Sequence, residues 1–170
     1  MSRLETGFLA VNRWILILLL AGMSIIIFTN VCLRYLTDVS LPWAEEVGRY
    51  MMIWLTLLGA GPVLRSGGHI AVENFQDLLS PRLAAALRLF VSALLFMLFA
   101  ILVWQGWIYM QRTLLQTTPV TQIPFAYIYG AFFVGGLNLI AHFLLIVRGY
   151  VLRREFAPDD HFDSTASASL

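Results

Sequence analysis

The chain has 170 residues, of which 59% are hydrophobic and 12% charged, and its mean hydropathy is +0.78. A soluble core of this size cannot hide so much apolar surface, so the composition excludes an ordinary soluble domain and indicates a membrane protein. The net charge is +1, and all eleven basic residues are arginines that lie between the apolar runs. This distribution indicates membrane topology and not nucleic-acid binding. The single cysteine, Cys32, excludes a disulfide framework built from this chain alone.

Four segments are predicted to cross a membrane as helices, because about 20 apolar residues span the hydrocarbon core. Three of them contain uncharged runs of twenty, twenty-two and twenty-three residues, namely Trp14–Leu33, Leu89–Met110 and Phe125–Val147. With their flanks, the four spans cover about residues 14–35, 43–65, 83–111 and 124–150. The predicted fold class is therefore all-α membrane protein, with one four-helix domain over residues 1–155 and a disordered cytoplasmic tail over residues 156–170.

The second span is too short unless it includes charged residues. Its uncharged part, Tyr50–Leu64, has only fifteen residues and reaches about 22 Å at 1.5 Å per residue. Beyond it come Arg65 and a Ser-Gly-Gly sequence, which are typical of a helix end. The missing length must therefore come from the preceding residues, which places Glu45, Glu46 and Arg49 within the helix.

Two interpretations of this charged cluster remain open. In the structural one, Glu45 and Glu46 offset the helix dipole in the first turn behind Pro42, and Glu45 pairs with Arg49 at the favourable i,i+4 spacing. The polar and small stripe that continues to Gly59 would then dock another helix or subunit. In the functional one, a glutamate binds a proton or coupling cation, as intramembrane acids often do. The structural interpretation is favoured because transporters usually place such sites at the membrane midplane, whereas this cluster lies near the membrane interface.

The last span carries a second polar group, Asn138 and His142, four residues apart. Ala131 and Gly135 form a small-xxx-small pair one turn earlier, so this face is predicted to pack against another helix. A haem or metal role for His142 needs a second histidine at matching depth, and His69 lies outside the hydrocarbon. We therefore expect no cofactor and no catalytic site in this chain.

The connection between the second and third spans, residues 69–82, is predicted to form a short interfacial helix. Its apolar residues, set among acidic and amide side chains, are Ile70, Phe75, Leu78 and Leu79.

The arginine distribution predicts the orientation in the membrane. With the N-terminus inside, the cytoplasmic segments hold eight arginines and the outer segments three. Cytoplasmic loops carry the excess of positive charge, so both termini are predicted to be cytoplasmic. Trp43 near one outer end fits an aromatic belt at the external interface.

A run of aromatic, charged and glycine residues between Arg34 and Phe75 has a distinctive order. The positions that carry it are Arg34-Tyr35, Trp43-Ala44-Glu45-Glu46, Arg49-Tyr50, Trp54, Gly59-Ala60, Arg65, Gly68-His69-Ile70 and Val72. In this order they resemble the signature of the small integral-membrane subunit of tripartite ATP-independent periplasmic (TRAP) transporters, the DctQ-like family. Glu73 departs from the family's more frequent Asp and keeps the charge. The resemblance extends to "TTPVTQIPFAYIYG", which is similar to the family's entry into its last span.

The resemblance implies a division of labour within a complex of the bacterial inner membrane. A large membrane subunit carries the substrate and the sodium ions, and a periplasmic binding protein delivers an organic-acid anion, such as a C4-dicarboxylate or sialic acid. This chain would brace the large subunit in the lipid bilayer, without enzyme activity. It also implies that Glu45, Glu46 and Arg49 lie near contacts with a partner, and that Arg65 and His69 anchor the cytoplasmic side.

Two other classes of protein remain as alternatives. A self-sufficient small homo-oligomeric transporter should carry an acidic residue deep in a span, and the first, third and last spans have none. A four-helix membrane redox protein of the disulfide kind needs more than one cysteine, and one of the haem kind would show a Soret band when purified.

Overall fold

The structure is a computed structural model that describes residues 3–65 and 80–153. Within these ranges the chain forms four α-helices and no β-strand: α1 (Arg3–Thr37), α2 (Pro42–Arg65), α3 (Pro81–Arg112) and α4 (Phe125–Arg153). All four are long and apolar enough to cross a membrane, which confirms the predicted all-α membrane fold. The expected interfacial helix, His69 and the expected disordered tail lie outside the described residues.

The helix bounds confirm the length argument for the second span. α2 begins at Pro42 and ends at Arg65, so Glu45, Glu46 and Arg49 are all helical. Its 24 residues reach about 36 Å, enough to cross the hydrocarbon core. α1 begins at Arg3, so the helix includes Arg13 and extends beyond the predicted membrane span, which starts at about residue 14.

The helices pack side by side in the order α1, α2, α4, α3. α4 contacts both α2 and α3 and is the most buried of the four, whereas α1 packs mainly on α2. Glycines permit the close approach of α3 and α4, since a Cβ atom on Gly106 would lie 2.6 Å from the backbone nitrogen of Phe133. The described connections 38–41 and 113–124 lie at one end of this layer, which we call the loop end. The opposite end, with the start of α1 and the end of α2, is the terminal end.

Candidate functional site

At the loop end, Glu46 fastens the α3–α4 connection to the start of α2. Its carboxylate accepts hydrogen bonds from the backbone N–H groups of Val120 (3.0 Å) and Thr121 (3.2 Å), and from the Thr121 hydroxyl. The residue is only 8% exposed. Charge-assisted bonds of this kind are stronger than bonds between neutral groups, so Glu46 holds the connection firmly. We call Glu46 and its donors on Val120 and Thr121 the Glu46 latch.

The connection itself is folded so that it presents these donors together. The Thr118 N–H donates to the Ile123 carbonyl (2.9 Å), and the Ile123 N–H donates to the Thr118 hydroxyl (3.1 Å). Gln122 lies between them with a φ of 55°, in the left-handed region. Thr118 is fully buried, and its hydroxyl lies 2.8 Å from that of Thr121. The connection is therefore a compact turn and not a loose linker.

Glu45 lies on a different side of α2 and has a different partner. Its carboxylate is 4.0 Å from the guanidinium of Arg34 on α1, and both side chains are at least half exposed. The expected Glu45–Arg49 ion pair is wrong: among the described residues, Arg49 forms no ion pair. The short connection 38–41 places the end of α1 beside the start of α2, which brings Arg34 within reach. An exposed pair of this kind adds little stability.

A groove of about 710 Å³ opens between α2 and α4 at the loop end. One wall belongs to α2 and includes Arg49 and Tyr50, whereas the other is an aromatic face of α4 with Phe125, Tyr129 and Phe132. Tyr129 stacks on Tyr109 of α3, with ring centroids 5.6 Å apart, so the aromatic wall is supported from behind. We call this cavity the loop-end groove.

Toward the terminal end, a buried polar node joins three helices. Pro62 has no N–H to donate to the carbonyl of Leu58, four residues earlier in α2. That carbonyl instead accepts hydrogen bonds from the side-chain amides of Asn138 on α4 (3.0 Å) and Asn12 on α1 (3.4 Å). The Asn12 amide also lies 3.4 Å from Nε2 of His142, which is fully buried. Pro62 thus leaves free the acceptor that holds α1, α2 and α4 together.

The node accounts for Asn138 and His142 as helix-packing residues within the chain. It also requires Gly61, because a Cβ atom there would lie 2.8 Å from the Asn138 amide nitrogen and would collide with the His142 ring. Gly59, the glycine singled out in the sequence, has more room: its nearest neighbour would be Leu16 of α1, at 3.7 Å. Asn12 was missed because it precedes the predicted first span.

Replacing Gly61 by alanine should therefore lower the free energy of unfolding by about 1–3 kcal/mol, since buried groups must move to admit the methyl. Gly59→Ala is the matched control two residues away, and it should be neutral or slightly stabilising. Both can be measured by denaturant titration of the purified chain in detergent micelles. Equal effects at the two positions would contradict the packing described.

A second buried contact joins α1 and α2 at the terminal end. The Arg65 guanidinium donates to the Glu5 carboxylate at 3.1 Å, and Arg65 is 7% exposed. Arg65 therefore closes the end of α2 against the start of α1 within the chain. Trp43 is partly exposed in the first turn of α2. The expected place of Trp43 in an outer aromatic belt and the expected anchoring of the cytoplasmic side by Arg65 stay predictions.

Four membrane-length helices, with polar groups that hold helices and a connection together, define a multi-pass membrane protein. The family model described as "Tripartite ATP-independent periplasmic transporters, DctQ component" matches residues 23–152. The chain is 32% identical over 142 residues to a "Putative TRAP transporter small permease protein" of Haemophilus influenzae, covering 78% of this chain and 88% of that relative. The chain therefore belongs to the DctQ family of TRAP transporter small permease subunits, as the sequence resemblance indicated.

Two further relatives match over shorter segments. A "C4-dicarboxylate TRAP transporter small permease protein DctQ" of Vibrio cholerae is 27% identical over 74 residues, 44% of this chain and 32% of the relative. An "Isethionate TRAP transporter permease protein DctMQ" of Oleidesulfovibrio alaskensis is 31% identical over 85 residues, 49% of this chain. The match covers only 13% of that protein, so most of its sequence lies outside the similarity.

Proposed function

We propose that this subunit braces a large TRAP membrane subunit during sodium-coupled, binding-protein-dependent uptake of an organic-acid anion. The observation that carries the proposal is that both acidic residues of α2 have partners within the chain. Glu46 is held by two backbone N–H groups and a hydroxyl, and Glu45 faces Arg34. Because both carboxylates already have partners within the chain, we assign the transport chemistry to the large subunit.

The partnership with a large membrane subunit is supported by the relative named DctMQ. In that permease, a segment similar to this chain makes up 13% of one longer polypeptide. A small-subunit segment and a much larger part of the permease are thus covalently joined there. We propose the same partnership for this chain.

The substrate class is proposed from the relatives and not from this chain. Isethionate and C4-dicarboxylate, the compounds in two of their names, are both organic anions. A periplasmic binding protein would deliver the anion to the large subunit. The proposed location is the bacterial inner membrane. The proposed orientation, with both termini cytoplasmic, rests on the excess of arginines in the segments assigned to the inner side.

The experiment is affinity purification of the tagged chain from its own host membrane, followed by mass spectrometry and reconstitution. We expect a much larger multi-span protein to copurify. Vesicles containing both subunits should take up an organic anion only with a sodium gradient and a binding protein, and vesicles with this chain alone should take up none. Transport by the isolated chain would overturn the proposal and favour a self-sufficient transporter.

A further inference from the structure

We propose that the loop-end groove seats an acidic side chain of the large membrane subunit, with its carboxylate on Arg49. The inference rests on the proposed function, because it takes the large subunit as the partner. Beyond that function, the inference names the surface of this chain that the partner occupies and the ion pair that recognises the partner.

The first argument is the charge state of the groove. Arg49 is exposed, lies in the third turn of a membrane-spanning helix and has no ion pair among the described residues. Glu45 and Glu46 also line the groove, but each already has a partner: Glu46 binds the α3–α4 connection and Glu45 faces Arg34. Charges within membrane spans are costly unless they are paired, so an anionic group on a partner would stabilise the Arg49 guanidinium.

The second argument is the shape and composition of the groove. Its volume of about 710 Å³ admits several side chains, and the Glu46 latch holds Pro119 and Val120 at its rim. Opposite Arg49 stands the aromatic wall, backed by the stacking of Tyr129 on Tyr109. Arginine beside large aromatic residues is the composition typical of energetically dominant protein interface positions.

The guanidinium alone does not choose the occupant, because its planar fork pairs with a carboxylate or a phosphate through two parallel hydrogen bonds. The aromatic wall of the groove favours a protein carboxylate over a lipid headgroup. The aromatic wall would receive the apolar residues that flank an acidic residue on a membrane helix. The partner segment is therefore an apolar helix of the large subunit with one aspartate or glutamate near the membrane edge.

The test uses the two-subunit complex, with variants Arg49→Lys, Arg49→Gln and Arg49→Glu. Recovery of the large subunit with the tagged chain should fall at least tenfold for Arg49→Glu, less for Arg49→Gln and least for Arg49→Lys. The control is Arg112→Gln, an exposed arginine at the same end that does not line the groove, and it should match the wild type. Melting of the isolated chain should be unchanged in all four variants, which separates docking from folding.

The occupant is then identified by charge reversal. Lysine substitutions at the acidic residues of the large subunit should include one that restores assembly with Arg49→Glu. Normal assembly of Arg49→Glu would overturn the inference, as would failure of every reversal to restore it. A requirement for anionic lipid in nanodiscs that disappears in Arg49→Gln would assign the groove to a headgroup instead. If the wild-type chain recovers no large subunit, the proposed function fails and not this surface alone.

Discussion

Replacing Glu46 by glutamine or alanine is expected to release the α3–α4 connection from the start of α2. The carboxylate satisfies three donors on Val120 and Thr121, and a buried N–H left without an acceptor is strongly disfavoured. Glutamine keeps the shape but offers only one acceptor oxygen, so it should restore the contact only in part. Hydrogen exchange at the amides of residues 120 and 121 should become roughly tenfold faster or more.

Glu45→Gln is the matched control for this experiment, because Glu45 lies beside Arg34 and not beside the connection. It should leave exchange at residues 120 and 121 unchanged. The same pair of variants decides between the two interpretations of the acidic cluster. A Glu46→Gln protein that keeps its exchange protection and assembles normally, yet loses sodium coupling, would show that Glu46 is an ion ligand and not a latch.

The second large effect is expected at the polar node. Asn138→Leu removes the shorter of the two hydrogen bonds to the Leu58 carbonyl, which Pro62 cannot satisfy. Loss of this bond should lower the free energy of unfolding by about 1–2 kcal/mol, since interhelical hydrogen bonds in membranes contribute at that level or below. The free energy of unfolding can be measured by denaturant titration of the purified chain in micelles.

The decisive comparison is a double-mutant cycle with Pro62→Ala. Alanine supplies the N–H that proline lacks, so the Leu58 carbonyl gains a donor within its own helix. Asn138→Leu should then cost less than half as much in the Pro62→Ala background as in the wild type. An equal cost in both backgrounds would mean that Asn138 acts through packing and not through the carbonyl.

The helices of this protein could be predicted because their determinants are local. Apolar run length located all four helices, and the length deficit of the second run correctly placed Glu45, Glu46 and Arg49 inside it. The extension of α1 back to Arg3 was not predicted, because apolar run length locates the membrane span and not the polar turns that precede it.

The partners of the polar residues could not be predicted, because they depend on which helices become neighbours. Glu46 and its donors are separated by 74 and 75 residues, and no pattern in either segment points to the other. Glu45 had two arginines in reach, and only the packing of α1 on α2 selects Arg34 over Arg49. One signal was available in the sequence. A proline within a helix leaves the carbonyl four residues earlier without its usual donor, which favours polar side chains on a neighbouring helix.

Polar contacts between α1 and α2 occur at both ends of the pair and between them. Glu5 meets Arg65 at the terminal end, Asn12 meets the Leu58 carbonyl in between, and Arg34 meets Glu45 at the loop end. Sliding α1 along α2 by one helical turn, about 5.4 Å, would break all three at once. Because these contacts lie at both ends and in between, we expect α1 and α2 to shift along their axes together and not past one another.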